Sequence, residues 1–178
     1  MTLSQVRRTE NLIASGNIFR DVVDNIAEIF KRYQQGDISD PDDDSELTYI
    51  SRVTKIYRND VIQIPETPAI SIVWTSFDEK VRAIGHSYPV TIEITSHVAI
   101  YYYHDEINVD IRKDEIRDAL WEFARLLRRN ADLNGLSPKG AVISNGQLMN
   151  RMRNAKPYAG GLINVDVPID VKSRRGVS

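Results

Sequence analysis

The sequence predicts an α+β fold: an antiparallel or mixed β-sheet with two main helices packed on one face and one long strand free to project as a hairpin. Three patterns predict it. Two segments repeat apolar residues at helical spacing, and others alternate apolar and polar residues as half-buried strands do. The strands follow one another without strict strand–helix–strand alternation, which argues against a doubly wound parallel sheet.

Element by element, residues 1–16 read as an N-terminal arm, and Ser15, Gly16 and Asn17 as a helix start. The first helix is expected over Ile18 to Gln34, where Ile18, Phe19, Val22, Val23, Ile26, Ile29, Phe30 and Tyr33 form one stripe and Gly36 ends it. An acidic loop over 37–46 follows, carrying Asp37, Asp40, Asp42, Asp43, Asp44 and Glu46 around Pro41. Leu47 to Tyr57 reads as a strand, 58–68 as a loop, and Ala69 to Ser76 as a strand with Ile70, Ile72 and Trp74 on one face.

After a charged connection containing Gly85, the longest strand is expected over Val90 to Tyr103. Val90, Ile92, Ile94, Val98, Ile100 and Tyr102 share a face, and the alternation marks a sheet buried on one side and wet on the other. At about 3.3 Å per residue it spans roughly 45 Å, enough for its outer part to leave the body. The second helix is expected over Ile111 to Leu133, capped by Asp110 and ended by Gly135. Asp114 and Glu115 suit the positive end of its dipole, and Arg125, Arg128 and Arg129 the negative end. Ala141 to Ser144 reads as a short strand and 145–161 as mostly loop. The last strand, Leu162 to Val171, alternates cleanly, with Pro168 implying an edge or a stretch free of pairing. A basic tail over 172–178 completes the expected single domain, 1–178.

Composition narrows function mostly by exclusion. The 178 residues are 42% hydrophobic and 27% charged, with a formal net charge of -2, so no strongly basic nucleic-acid binder is indicated. There is no cysteine, which removes disulfides, thiolate nucleophiles and sulfur-ligated zinc. Neither a membrane-spanning apolar run nor the apolar core of a secretory signal over Met1 to Glu10 is expected.

The chain carries no recognisable catalytic string. His86, His97 and His104 have no partner at metal-ligand spacing and read as ordinary surface histidines. Asp40, Asp42 and Asp44 have calcium-loop spacing, but Ser45 stands where the sharp turn needs glycine and Ser51 where the loop needs glutamate, which leaves a solvated loop. Gly160 and Gly161 read as a tight turn and not as a phosphate cradle, since no helix follows them. No enzyme, no metal and no cofactor is expected. From Lys139 onward seven basic residues (Lys139, Arg151, Arg153, Lys156, Lys172, Arg174, Arg175) face two acids, Asp166 and Asp170. This basic end and the acidic loop either pack neighbouring copies head to tail or stay solvated. Arg151, Arg153 and Lys156 could also meet DNA, though no aromatic interleaving supports base stacking.

The amphipathic first helix, the segment Pro68-Ala-Ile-Ser-Ile-Val-Trp74, the strand Tyr88-Pro-Val-Thr-Ile-Glu-Ile-Thr95, the helix Asp114 to Arg129 and the strand Gly161-Leu-Ile-Asn-Val-Asp-Val-Pro168 together resemble the tail terminator, or tail-completion, proteins of long-tailed bacteriophages. The likeness is one of element order over about Ile18 to Val171; the acidic loop and basic tail have no counterpart in it. The resemblance implies a structural virion protein of the tail neck, assembled in the host cytoplasm as a hexameric ring. That ring sits on the last tail-tube ring, stops polymerisation and offers the head a docking surface. Its expected partners are further copies of itself, the tail tube protein, the sheath protein in a contractile tail, a neck or connector protein, and genomic DNA passing through without sequence-specific binding; no membrane is involved. The alternatives are a head-completion or connector protein and, from another class, a small nucleotide-binding or enzymatic domain. Within the terminator reading, Asp40, Asp42, Asp43 and Asp44 are expected to line the channel and keep DNA from sticking. Tyr101, Tyr103, Arg151, Arg153 and Lys156 are expected at a subunit or tube contact, with Tyr102 either part of an exposed tyrosine end or in the core.

Overall fold

A computed structural model describes residues 18–36, 47–61, 63–82, 90–104 and 106–173. Helix α1 (Ile18–Gln34) is followed by a short 3-10 helix (Ile50–Arg52), β1 (Lys55–Tyr57), β2 (Ala69–Arg82), β3 (Val90–Tyr103), helix α2 (Lys113–Arg129), β4 (Val142–Arg153) and β5 (Lys156–Ser173). The five strands form one mixed sheet in the order β1-β2-β3-β5-β4. Only the β1–β2 pair is parallel; the other three pairs are antiparallel.

Both helices cover the same face of the sheet. Val22, Ile26, Phe30 and Tyr33 of α1, and Ile116, Phe123 and Leu127 of α2, pack on Ile70, Ile72, Val98, Ile100, Tyr102, Ile163 and Val165. Alternation puts all these strand residues on one side. The rings of Phe30 and Phe123 meet 5.8 Å apart, joining the two helices. Each fully buried aromatic or aliphatic side chain here contributes about 1.5–3 kcal/mol. Helix α1 lies over β1, β2 and β3, and α2 over β5 and β4. Gly36, at φ +74°, ends α1 in the left-handed conformation expected.

The opposite face is not uniformly wet. After β1 the chain crosses it, and Ile64, Ala69, Tyr103 and Tyr158 form a second small core there. The Tyr158 hydroxyl donates to the Ile64 carbonyl at 2.9 Å, and the Ser71 hydroxyl to the Asn59 carbonyl.

Several expectations need correction. Leu47 to Tyr57 is not one strand. The Glu122 carboxylate of α2 accepts hydrogen bonds from the backbone amides of Thr48 (3.0 Å), Tyr49 (3.0 Å) and Ile50 (2.8 Å). This turns the chain into the 3-10 helix and leaves only Lys55–Tyr57 extended. Asp110 does not cap α2; the helix starts after Arg112 with no side-chain cap, although Asp114 and Glu115 do occupy its first turn. It ends at Arg129 and not Leu133, because the Asn130 side chain bonds the Leu126 carbonyl (2.9 Å) and the Tyr33 hydroxyl (3.1 Å).

The largest correction is at 145–161, expected as loop. It holds most of β4 and the start of β5, joined by a two-residue turn in which Asn154 (φ 48°) and Ala155 (φ 60°) are both left-handed. Gly160 and Gly161 therefore lie inside β5, not in a turn. Pro168 also sits on an inner strand, but β4 pairs with β5 only as far as Asp166. The Pro168 carbonyl instead accepts from the Ser137 hydroxyl at 2.6 Å, so the missing amide falls on the side β4 does not reach. The long strand β3 does not project alone. It pairs with β5 from Val90 to Tyr103 and with β2 from Thr91 to Tyr103.

Candidate functional site: two flanks of the sheet

One flank is the border of β2. Strand β1 pairs only with Ala69, Ile70 and Ser71. Beyond that the chain turns away at Arg58, so β2 has no neighbour on its outer side from Val73 to Arg82 among the described residues. A groove of about 580 Å³ opens there between Phe19 and Val23 of α1, Arg58, Val73 and Trp74. Arg58 is held to Asp24 at 3.1 Å. The aromatic rings of Phe19, Trp74 and Phe77 cluster beside it, with Phe19 4.9 Å from each of the other two. Trp74 and Phe77 remain 38% and 44% exposed. A shared aromatic patch left in water is unusual for a surface that works alone. Trp74 lies on the same side of the sheet as Ile70 and Ile72, as the alternation predicts, and among the described residues of α1 it is Phe19 whose ring packs on it.

The other flank is the border of β4, whose outer side carries no backbone hydrogen bond from another described element. Above it lies the side of α2 away from α1. Trp121 lies two residues, about 200° around the helix, from the sheet-facing Phe123, so it points away from the sheet. Trp121 is 63% exposed, with the Arg128 guanidinium 5.0 Å from its ring centre. Met152 and Val142 on β4 and Ile111 before α2 are exposed as well. Sequence reasoning passed over Trp121 because its neighbours Leu120, Glu122 and Phe123 are all buried; only the wheel position of one residue separates it from them.

The residues expected to line a channel or meet a neighbour are placed as follows. Asp40, Asp42, Asp43 and Asp44 lie outside the described residues, as do His86 and the tail from Arg174. Tyr102 is in the main core, and Tyr103 is buried in the small core of the second face. An exposed tyrosine end is therefore not present. Burial raises the Tyr103 hydroxyl above its ordinary pKa, and Arg153 beside it partly offsets this. Arg151 and Arg153 both reach the carboxylate of Asp60, and the Arg151 guanidinium stacks 3.7 Å over the Tyr101 ring. Lys156 is exposed and stands 5.0 Å over Tyr158. Lys139 bridges Glu93 and Asp170. Lys139, Arg151 and Arg153 are thus engaged by acids of their own chain, which takes them out of the open basic end expected.

Two histidines depart from the surface reading. His104 is buried; its Nδ1 accepts from the Glu106 amide at 3.0 Å and its Nε2 faces Glu115 at 3.6 Å. His97 lies across β2, β3 and β5, with Nδ1 2.7 Å from Asp166 and Nε2 3.0 Å from Asp78. The two carboxylates take opposite nitrogens of the ring, so the three groups clamp strands together and do not converge on one ion. Among the described residues no group of His, Asp and Glu could hold a metal.

The hydrogen bond to Asp166 raises the His97 pKa, reinforced by Asp78 and opposed by burial. A base held above its ordinary value stabilises the fold while it is charged. Its contribution is complete below the unfolded value near 6.5 and is lost as pH rises through the higher folded value. We therefore expect the stability gap between wild type and His97→Gln, measured by urea unfolding from about pH 5 to 9, to be widest at the acid end. A gap that grows toward alkaline pH would sink the clamp.

A scan against protein-family models finds no match to this chain, and a search of curated proteins finds no significant relative.

Proposed function

We propose that this chain is a structural protein of the long-tailed phage virion: the tail terminator, which forms a hexameric ring on the last ring of the tail tube, halts its growth and offers the head its docking surface. One observation carries the reading. Exposed apolar side chains stand at both borders of the sheet, Trp74 and Phe77 on β2 and Val142 and Met152 on β4, with Trp121 exposed on the helix that covers the β4 half. A ring closed by rotation needs two different, mutually fitting surfaces on opposite sides of each subunit. Half-exposed tryptophans and an arginine stacked on one of them are what such contacts use at their centres. A surface that fits the tube below and carries no repeat of it above ends the tube's growth without bond-making chemistry. The order of helices and strands, which resembles the tail-completion proteins, supports the same reading.

The proposed partners are further copies of the chain, the tail tube protein, the sheath protein in a contractile tail, and the neck or connector protein, with DNA passing through the ring. The test is electron microscopy of the purified chain alone and mixed with polymerising tail tube protein. Rings, and tubes closed at one end by a ring, are the expected result, and Trp74→Asp should abolish both while leaving the monomer folded. Rings that leave tubes growing would place the chain on the portal side of the neck. Monomers that leave tube length unchanged would overturn the reading.

A further inference from the structure

We propose that neighbouring copies in the ring join by strand pairing, the outer edge of β4 in one copy adding antiparallel, in the next, to the edge of β2 that is unpaired among the described residues; this rests on the ring reading above. Four features of the two edges fit each other, the match of faces following from polarity and hydrogen-bond phase.

The first is polarity. Strands β2, β3, β5 and β4 alternate in direction, so β2 and β4 run oppositely. Rotating a copy about a ring axis along the strands keeps these directions, and β4 then meets the next β2 as an antiparallel neighbour.

The second is hydrogen-bond phase. In a strand the amide and carbonyl of one residue point the same way, and successive residues alternate. The Pro68 carbonyl accepts from the Thr54 amide on the β1 side, so Ala69, Ser71 and Val73 point toward β3. Their partners Tyr103, Tyr101 and Ala99 point back, and by alternation so do His97, Thr95 and Glu93. Those pair past the bulge with Ser76, Asp78 and Lys80, which leaves the backbones of Phe77 and Glu79 pointing outward. On the other side, the Ala159 carbonyl accepts from His104 at the end of β3, so even-numbered residues of β5 point toward β4. Their partners Asn145, Gln147, Met149 and Arg151 point inward, and Gly146, Leu148 and Asn150 point outward.

The third feature is the match of faces. Phe77 pairs across from Ser96, and Leu148 from Gly161, both on the helix-covered side of the sheet. The outward backbone groups of both edges thus belong to residues with side chains on the same face. An edge out of phase would turn one copy's buried face into its neighbour's wet face.

The fourth is length and regularity. Each edge has one bulge, near Thr75 on β2 and near Ser144 on β4, and is regular beyond it. We set Phe77 against Leu148, apolar side chain against apolar side chain on the helix-covered face, which places Ser76 against Met149 and Lys80 against Asn145. Neither edge stretch contains proline, the residue that would block added pairing.

The chain has no cysteine, so introduced pairs report the contact cleanly. Ser76 and Met149, and Lys80 and Asn145, fall at positions without direct backbone bonds, where opposed Cα atoms stand about 4.5 Å apart, within disulfide reach. The double variants Ser76→Cys/Met149→Cys and Lys80→Cys/Asn145→Cys should, on mild oxidation, give a non-reducing gel ladder in steps of one subunit up to the ring. The crossed variants Ser76→Cys/Asn145→Cys and Lys80→Cys/Met149→Cys should not. Rings seen by microscopy with no ladder from the matched pairs would overturn the strand pairing and leave the ring standing. Equal ladders from matched and crossed pairs would overturn it too, as would dimers from single-cysteine variants, which mark like-with-like contact. A chain that stays monomeric throughout overturns both the pairing and the ring.

Discussion

Gly160→Ala is expected to lose about 3 kcal/mol of stability, the top of the usual range for an overfilled site. A Cβ at Gly160 would stand 1.9 Å from the Tyr102 carbonyl oxygen. That atom belongs to the backbone of the central strand, so no side-chain rotation relieves the clash; β3 and β5 must part or bend. Gly161→Ala meets the Leu120 side chain at 2.4 Å, and the loss should be smaller because a leucine can turn. Gly146→Ala is the control within the same hairpin. Its nearest neighbour would be the Leu162 carbonyl at 3.9 Å, and a change within about 0.5 kcal/mol is expected. Guanidinium unfolding midpoints at unchanged slope check the order. Equal midpoints for Gly160→Ala and Gly146→Ala would refute the close approach.

The second large effect is at Glu122. Its buried carboxylate is the acceptor for three consecutive amides that start the 3-10 helix. Glu122→Ala strips all three of a partner beside buried Ile50 and is expected to cost about 3 kcal/mol. Glu122→Gln keeps one carbonyl acceptor and should recover part of that. Thermal unfolding gives the size of the loss, and amide hydrogen exchange gives its place. Protection should fall first at Thr48, Tyr49 and Ile50. Unchanged exchange at those amides in Glu122→Ala would mean that the carboxylate does not hold the turn.

The two helices and the central strand were legible because each is specified by its own residues. The stripe from Ile18 to Tyr33 delimits α1 at the residues observed, and the alternation from Val90 to Tyr103 delimits β3. The misreadings fall where a distant group decides. Leu47 to Arg52 has strand-like composition, but a carboxylate far along the chain takes its amides and curls it. The β4–β5 hairpin lacks the usual Asn-Gly signal: Ala155 adopts a left-handed φ that glycine normally supplies. Without that marker, a run containing Asn145, Gly146, Asn150 and two arginines looks like loop. The exposed flanks were the least legible. That Trp74 and Phe77 stay partly in water depends on how short β1 is, which local pattern does not show. Arg151 and Arg153 looked available because nothing local shows that Asp60 will reach them.

Asp60 belongs to the segment that leaves one border of the sheet, yet it grips two arginines rooted in the strand at the far border. Those side chains lie across the intervening strands, one of them flat on Tyr101. The domain is therefore braced like a panel with a diagonal tie: a load on either margin travels along the guanidinium–carboxylate link as well as through the ladders. Sliding between strands at one margin is therefore resisted at the other.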